Sequence, residues 1–576
     1  MTDAGLKAGP ARARGRRGVG LLITWAGAPL VVVESDVLIP IPVIDLFAGP
    51  GGLNEGFSQL GEDVGSPVFE TIGSFEMEST ACHTLRLRGV YRFLVRNGMP
   101  LSNYYRFIRG EIDLGTFYEL PEIVAAVEST QADVNQIELG VDREESDQLI
   151  RDALDSHNLG SVDSIWALIG GPPCQAYSMA GRSRRTNDVD FANDKKHFLY
   201  REYLHIIAEF APPVFVMENV KGLLSSTHSG RQMFDMIRSD LEKPGPGLEY
   251  DIHSLTVDLE PERLQPSDYV IRTELYGVPQ KRHRVILLGV KRGLFPATKV
   301  PGKLVKSPQV TVRDALTSLP RIRSGISPTR ADSSGDWMSI RSSARRDYGN
   351  DQRASFDPTL ALSRGQAFCR APMEMTNRST YSDWISDHRL GGAIQHEARF
   401  HMPEDLKRYF YAASVAERNG TSPKLREYPD ELLPNHKNAR SDVRVFEDRF
   451  RVQVWDEPAT TIVSHIAKDG HYYIHPDPEQ MRSLTVREAA RLQSFPDNYF
   501  FMGNRTQQYH QVGNAVPPLL ANQIAQVVAD FLRPDKNLRR SDEALQTNQI
   551  VVEPSAMTVL KESLAADLVS RRMVNS

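Results

Sequence analysis

Cysteine is scarce in this chain, which has only three in 576 residues. Cys82, Cys174 and Cys369 lie far apart and are odd in number, so they provide neither a disulfide framework nor the close Cys and His spacing of a metal site. This usage favours a reducing compartment, and we expect a cytoplasmic protein that holds no metal.

Long apolar runs and a strong excess of one charge are also missing. A basic stretch and an apolar run at residues 12–33 imitate a signal peptide, but the apolar run contains Pro29 and is too short to span a bilayer. We therefore expect neither export nor membrane insertion. The net charge of -5 and the pI near 6.3 exclude attraction of the whole chain to nucleic acid, so any such binding must come from local basic surfaces.

Short apolar runs alternate with helix-like segments through much of the chain. This alternation predicts an α/β fold with a doubly wound sheet. The predicted strands are residues 43–47, 68–75, 165–169, 214–217, 254–257 and 285–290, and the predicted helices include 198–210 and 232–241. Thr485 and Glu488 form a capping box that opens a further helix, and Pro518 begins a last helix with an apolar stripe.

The same pattern divides the chain into segments. Residues 293–456 carry many Arg, Ser, Asp and Pro residues and few periodic runs, which predicts a separate, loop-rich domain inserted into the main fold. We expect the main fold to comprise residues 39–292 and 457–532. Residues 1–38 are predicted to be a disordered extension, and residues 533–576 a polar C-terminal tail.

A glycine turn follows the first predicted strand. Residues 48–52 read Ala-Gly-Pro-Gly-Gly and lead into a helix-like segment. Glycines let a ligand approach the backbone closely, and the free amides of a helix start can meet a carboxylate or a phosphate. Taken alone, the pattern fits a ligand-binding turn and an ordinary strand-to-helix turn equally well.

Cys174 lies in a tight loop directly after the predicted strand at residues 165–169. The loop reads Gly-Gly-Pro-Pro-Cys-Gln from Gly170 onward. Its prolines fix backbone dihedrals and its glycines permit strained ones, so the loop can display Cys174 at the carboxyl end of a strand, where open α/β sheets bind ligands. We interpret Cys174 as a candidate nucleophile. The alternative is a small, buried apolar residue.

Charged residues lie at the ends of two other predicted strands. Glu218 directly follows an apolar run, so its placement matches that of Cys174 and suggests a shared active site. Arg282 and Arg284 lead into the next strand, where alternation puts both on the same face. They could hold Glu218 ionised or bind a polar substrate. The alternatives are a structural ion pair for Glu218 and an exposed, charged strand start for the arginines.

Together these motifs resemble the cytosine-5 DNA methyltransferases. The motifs, in family order, are Asp-Leu-Phe-Ala-Gly-Pro-Gly-Gly at 45–52, Gly-Pro-Pro-Cys-Gln at 171–175, Glu-Asn-Val at 218–220, Gln-Lys-Arg-His-Arg at 280–284, Arg-Glu-Ala-Ala-Arg-Leu-Gln at 487–493 and Gly-Asn-Ala-Val-Pro at 513–517. The resemblance covers residues 42–292 and 457–532. It implies a Rossmann-like methyltransferase sheet, and the interval between the two parts is similar to the family's target-recognition domain.

The resemblance implies that the chain transfers a methyl group from S-adenosylmethionine to carbon 5 of a flipped cytosine in a specific double-stranded DNA sequence. The expected setting is a bacterial restriction-modification or defence system, with the cognate endonuclease encoded separately. Two alternatives stay open: a tRNA methyltransferase of the same family, and a catalytically silent DNA-binding subunit. The large insertion argues against the first, and the complete Cys, Glu and Arg set against the second.

Family roles carry over to matching residues. Cys174 would attack the cytosine ring, Glu218 would hydrogen-bond or protonate the ring nitrogen beside the attacked carbon, and Arg284, grouped with Arg282, would orient base and carboxylate. Residues 177–196 would form a basic loop that closes over DNA.

A second set of matching residues would bind the cofactor. Glu76 would hold the ribose hydroxyls, Met77 stands where the family often has an aromatic residue that stacks on adenine, and Ile112 would be the next adenine contact. The full set of expected cofactor residues is Phe47, Gly49, Gly51, Gly52, Glu76, Met77, Ile112, Pro173, Leu199 and Asn514.

Overall fold

A computed structural model describes residues 39–62, 65–161, 163–173, 199–228, 231–327, 333–349, 361–375, 377–435 and 447–533. Three predicted features lie outside these ranges: the N-terminal extension, the loop that holds Cys174 and residues 177–196, and nearly all of the C-terminal tail. The chain divides into a large compact unit, Met1–Ala529, and a second unit, Asp530–Ser576, of which only residues 530–533 are described.

Sixteen strands are found in the described ranges. They are β1 Ile41–Leu46, β2 Phe69–Glu76, β3 Val134–Gln136, β4 Ala167–Gly170, β5 Val214–Val220, β6 Thr227–His228, β7 Arg231–Gln232, β8 Tyr250–His253, β9 Val270–Arg272, β10 Gln280–Lys281, β11 His283–Lys291, β12 Gly325–Ile326, β13 Gly365–Arg370, β14 Gly392–Glu397, β15 Phe400–His401 and β16 Ala459–Thr460.

Eight of the strands form the central sheet. Seven follow the order β3-β2-β1-β4-β5-β11-β8, and β9 pairs with β11 beside this path. Neighbours from β3 to β5 run parallel, whereas β11 is antiparallel to β5, β8 and β9. This arrangement is the Rossmann-like α/β sheet that the sequence predicted.

Helices connect and cover the strands. Among the described residues they are α1 Gly52–Gln59, α2 Ser79–Arg96, α3 Ser102–Ile108, α4 Leu114–Tyr118, α5 Pro121–Thr130, α6 Arg143–Ser156, α7 Leu199–Phe210, α8 Met233–Glu242, α9 Val312–Leu316, α10 Ser334–Tyr348, α11 Thr380–Ile385, α12 Pro403–Asn419, α13 Val486–Leu492, α14 Arg505–Asn514 and α15 Pro518–Leu532. None of these helices is both long enough and apolar enough to cross a membrane.

The main core lies between the sheet and helices α6, α7 and α8. Its buried members include Ile44, Leu168, Phe215, Ile207 and Ile237. Strands that are covered on both faces need apolar residues at nearly every position, which explains the uninterrupted runs in β4 and β5. These apolar runs are the reason that the central strands could be predicted from the sequence.

One further local prediction is confirmed and another is wrong. The capping box of Thr485 and Glu488 is confirmed at the start of α13. The predicted strand at residues 254–257 is wrong, because the strand is β8 and ends at His253. The hydroxyl of Ser254 accepts hydrogen bonds from the backbone N–H groups of Thr256 and Val257, both at 3.1 Å, and so turns the chain.

The last helix, α15, and the residues just before it pack so closely against α1 that two glycines of α1 have no room for a Cβ. A Cβ on Gly56 would lie 2.4 Å from the Cβ of Ala521, and a Cβ on Gly52 would lie 2.2 Å from the backbone oxygen of Val516. The C-terminal part of the main fold therefore returns to the glycine turn. The boundaries at residues 293 and 456 stay predictions.

We expect Gly52→Ala to lower the free energy of unfolding by about 1–3 kcal/mol, because the backbone oxygen of Val516 must move to admit a methyl group. Urea denaturation measures this loss. Gly302→Ala is the control, since a Cβ on Gly302 meets nothing within 4 Å. Equal stability of the two variants would contradict the close approach.

Candidate active site

The carboxyl ends of β4 and β5 place two predicted site segments side by side. Gly170 ends β4 and pairs with Met217, the residue before Glu218 in β5. A Cβ on Gly171 would lie 3.2 Å from Oε2 of Glu218, so the backbone that leads towards Cys174 runs directly beside this carboxylate. Cys174 itself lies outside the described residues, four positions after Gly170.

Glu218 forms an ion pair with Arg284. Nε of Arg284 lies 2.8 Å from Oε1 of Glu218, and each side chain is 12% exposed. The two residues share one face of the sheet, because Glu218 pairs with Ile286, two positions from Arg284 along β11. Burial lowers the pKa of Arg284, and Glu218 opposes that shift. The structure therefore brings the side chains of Glu218 and Arg284 together.

Arg282 has different partners from those of Arg284. Its Nη1 donates to the backbone oxygens of Ile462 at 2.9 Å and Gly513 at 3.2 Å. Burial and the positive charge of Arg284 lower the pKa of Arg282 to about 9, while Glu218 opposes this shift. The prediction grouped both arginines with the carboxylate, but the hydrogen bonds of Arg282 join β11 to the segment that precedes Asn514.

Two buried glutamines extend the contacts of Arg282, and sequence reasoning gave neither a role. Gln280 accepts a hydrogen bond from the backbone N–H of Ile462 at 2.6 Å and donates to Gln493 at 2.8 Å. Gln493 donates to the backbone oxygen of Val512 at 2.6 Å. Because these amides are buried and hydrogen-bonded, they fix the end of α14 relative to the backbone at Ile462.

The glycine turn after β1 has an unusual backbone. Gly49 and Gly51 have φ angles of 56° and 88°, and Phe47 has a φ of 54° although it is not glycine. A left-handed residue with a side chain costs about 1–3 kcal/mol and persists only where the surroundings fix it. The hydroxyl of Tyr499 donates to the backbone oxygen of Pro50 and helps to hold the turn.

Glu76 ends β2 beside this turn. Its Oε2 accepts a hydrogen bond from the N–H of Gly49 at 2.8 Å, and its Oε1 accepts one from the N–H of Glu78 at 2.8 Å. Burial raises the pKa of Glu76, although the backbone hydrogen bonds oppose the shift. A carboxylate oxygen has more than one lone pair, so Glu76 can hold the turn and still accept from a ligand hydroxyl.

Asp45 is a polar group at the end of β1 that sequence reasoning did not single out as a site residue. It is 1% exposed, and neither carboxylate oxygen has a hydrogen-bond partner within the part of the chain that the structure describes. Burial, followed by the charge of Glu76, raises the pKa of Asp45 well above its usual value. Buried polar atoms are rarely left without partners, so this position fits a ligand that supplies donors.

The two expected adenine contacts have different surroundings. Met77 follows β2 and is 52% exposed, so it is available to a ligand. Ile112 instead packs in an apolar cluster with α2 to α5, 22 positions before β3 begins. The position of Ile112 does not support its assignment. Ile137 directly follows β3 and donates its N–H to the backbone oxygen of Glu76 at 2.9 Å, so it lies beside the end of β2.

The remaining predicted residues border the same end of the sheet. Pro173 is the last described residue before the gap, Leu199 begins α7 after it, and Asn514 is the exposed last residue of α14. Asn514 precedes Ala515, whose Cβ would lie 3.2 Å from a Cβ on Gly52. Within the described ranges, no group of three or more His, Cys, Asp or Glu side chains could hold a metal ion.

Known proteins are similar in sequence to this chain over most of its length. A family profile for the C-5 cytosine-specific DNA methylase matches residues 145–530. The type II methyltransferase M.Bpa9945I of Bacillus paralicheniformis is 36% identical over 510 residues, covering 85% of this chain and 99% of that protein. The type II methyltransferases M.AgeI of Thalassovita gelatinovora and M1.HphI of Haemophilus parahaemolyticus are 27% and 26% identical; each alignment covers 84% of this chain, with 98% and 86% of the relatives.

Proposed function

Because this chain belongs to the C-5 cytosine-specific DNA methylase family and is a DNA cytosine-5 methyltransferase of the type II restriction-modification class, we propose that S-adenosylmethionine is its methyl donor and that Cys174, Glu218 and Arg284 carry out the chemistry. We further propose a separately encoded cognate endonuclease as its partner and the cytoplasm as its location. The observation that best supports the proposed chemistry is the ion pair of Glu218 and Arg284 beside Gly171.

The residues divide the work of activating cytosine. Carbon 5 of cytosine is a poor nucleophile, so the thiolate of Cys174 adds to carbon 6 and converts the ring into an enamine. Glu218 hydrogen-bonds or protonates the adjacent ring nitrogen as negative charge develops there. Loss of the carbon-5 proton after methylation then expels Cys174 and restores the aromatic ring.

Arg284 positions Glu218 for this step. Its guanidinium remains charged and holds one carboxylate oxygen at 2.8 Å, which leaves the other oxygen, Oε2, on the side of Gly171. Arg282 acts from further away, because its hydrogen bonds to the oxygens of Ile462 and Gly513 fix the backbone around the site. We therefore propose that Arg282 is a positioning residue.

The residues around the glycine turn fit S-adenosylmethionine. The amides of the turn, the carboxylate of Glu76 and the oxygens of Asp45, which lack a partner among the described residues, offer donors and acceptors for a ligand that carries hydroxyl, amino and carboxylate groups. When bound, this cofactor supplies an electrophilic methyl group. Met77, Ile137, Pro173, Leu199 and Asn514 would line the remainder of the site.

We expect Glu76→Ala to weaken S-adenosylmethionine binding by about 1–3 kcal/mol, because hydrogen bonds to a charged acceptor are lost and the turn at Gly49 loses its anchor. Calorimetry measures the affinity. Glu78→Ala is the matched control, since this exposed neighbour contributes its backbone N–H rather than its side chain. Unchanged affinity in Glu76→Ala would remove Glu76 from the site.

Duplex DNA is the proposed substrate, with the target cytosine flipped out of the helix at a cost of a few kcal/mol. Residues 293–456 are proposed to read the DNA sequence. Transfer of labelled methyl groups to duplex DNA and to tRNA, assayed side by side, tests this choice. We expect DNA alone to be labelled; labelling of tRNA alone, or of neither substrate, would favour one of the two alternative functions.

A further inference from the structure

The helices between β2 and β3 pack against a distant part of the chain. Phe107 and Phe117, from α3 and α4, share a buried apolar cluster with Leu390 and Ile394, which lie in and just before β14. Phe107 and Phe117 stack with ring centroids 4.6 Å apart. Helices α3 and α4 therefore form a surface on which β14 packs. This surface is part of neither the cofactor turn nor the Glu218 site.

Asp387, shortly before β14, joins three parts of the chain. Its carboxylate accepts hydrogen bonds from the hydroxyl of Tyr105 in α3, from Nδ2 of Asn498 at 2.6 Å and from the guanidinium of Arg389 at 2.9 Å. Burial favours a raised pKa for Asp387, but these hydrogen bonds outweigh it and lower the pKa. A buried carboxylate with this many partners fixes the position of each of them.

Arg109 makes a second connection from the end of α3. Its Nε donates to the backbone oxygen of Leu390 at 2.9 Å, and its Nη2 donates to that of Arg389 at 2.6 Å. The same guanidinium lies 5.8 Å from the ring centroid of Phe368 in β13. Arg109 therefore contacts β13 and the turn that leads into β14.

The strands β13 and β14 form a two-stranded ribbon in which the two strands differ in solvent exposure. β14 is buried, whereas Gln366, Ala367 and Arg370 of β13 are exposed. Gln395 in β14 has a φ of 54° and is held by the backbone of Phe501, at 2.7 Å from Nε2 to the oxygen. Side chains that read base edges in the DNA major groove must be placed accurately, so a small displacement of the exposed residues of β13 would change which bases they contact.

We propose that Tyr105 and Arg109 are positioning residues for DNA sequence discrimination. They act by fixing the segment that leads into β14 and so the orientation of the β13–β14 ribbon. This rests on the proposed function, in which residues 293–456 read the DNA sequence. Tyr105 and Arg109 lie outside that region, in a segment that sequence analysis connected only with the cofactor. Their role is to hold the ribbon in one orientation when DNA binds.

The test compares full-length wild type with Tyr105→Phe, Arg109→Ala and the control Arg106→Ala. Arg106 lies on the same helix, but among the described residues its side chain bonds only within the helix, to Asn103 at 3.0 Å. Each protein is assayed on the duplex sequence that the wild type methylates and on duplexes with single base-pair changes. The readouts are the ratio of kcat/KM between these duplexes, the affinity for S-adenosylmethionine and the Tm.

Tyr105→Phe and Arg109→Ala are expected to lower the discrimination ratio about fivefold or more, because a small displacement of a positioned contact has a large effect. Affinity for S-adenosylmethionine should stay within about twofold of wild type, and Arg106→Ala should match wild type. Tyr105→Phe removes a single oxygen atom and therefore gives the decisive reading if Arg109→Ala does not fold.

An unchanged ratio in folded Tyr105→Phe would overturn the proposal, as would an equal loss in Arg106→Ala. A parallel loss of cofactor affinity would also overturn it, because these helices would then serve the cofactor site. The wild-type arm separates this inference from the proposed function. Wild type that methylates no cytosine contradicts the function, whereas methylation with unchanged discrimination in the variants contradicts only the role of Tyr105 and Arg109.

Discussion

The Cys174→Ala variant should lose methyl transfer by at least about a hundredfold while it binds S-adenosylmethionine nearly as well as wild type. In the proposed mechanism the thiolate is needed for covalent attack on cytosine and not for cofactor binding. Single-turnover methylation of duplex DNA measures the chemical step, and calorimetry measures cofactor binding. Activity above about one hundredth of wild type would contradict the assignment of the nucleophile.

Two further observations make the cysteine prediction specific. When the target cytosine carries fluorine on carbon 5, that substituent cannot leave as a proton and the covalent intermediate cannot break down. Wild type should therefore form a denaturant-resistant adduct with this DNA, and Cys174→Ala should not. Cys369→Ala is the control, because Cys369 is not among the exposed residues of β13, and within the described ranges its Sγ hydrogen-bonds to the backbone oxygens of Gln366 and His396. This control should retain both activity and adduct formation.

The Glu218→Gln variant should lower the single-turnover rate by about 10²–10⁴, the usual contribution of a positioned acid or base. Glutamine keeps the size of the side chain but cannot transfer a proton, and it leaves the buried guanidinium of Arg284 without its 2.8 Å anionic partner. The affinity for S-adenosylmethionine should change little, because Glu218 lies in β5 rather than at the glycine turn.

Glu274→Gln is the matched control for the Glu218 prediction. Glu274 also forms a partly buried pair with β11, at 2.9 Å from Nε2 of His283, but Glu274 lies outside every motif that carries the family resemblance. A general effect of neutralising a carboxylate beside β11 would lower both rates equally. A Glu218→Gln rate within about tenfold of wild type would contradict the role of Glu218 in the chemistry.

Much of this architecture could be predicted because the central strands are apolar at consecutive positions. β1, β4 and β5 are buried on both faces, and their carboxyl ends are marked by glycine, proline and charged residues. The neighbouring placement of Gly171 and Glu218 follows from that pattern. In contrast, β3 has only three residues, Val-Asn-Gln, and carries no apolar run that a reader could recognise.

Long-range partners explain most of what could not be predicted. Arg282 bonds to backbone oxygens about 180 and 231 positions further along the chain, and backbone oxygens have no sequence signature. Ile112 lies in the bend between α3 and α4 and packs against a cluster that includes Leu390 and Ile394, so its surroundings depend on residues that local spacing does not reveal. Asp45 is likewise distinguished only by the absence of described partners for its oxygens, which is a property of the folded chain.

The most direct test of the central claim is the identity and position of the methylated base in DNA from a host that expresses this chain. Nucleoside mass spectrometry with single-base mapping should find 5-methylcytosine at one defined sequence with wild type, and none above background with Cys174→Ala. Methylation on an exocyclic amino group, or 5-methylcytosine that persists in Cys174→Ala, would contradict the account.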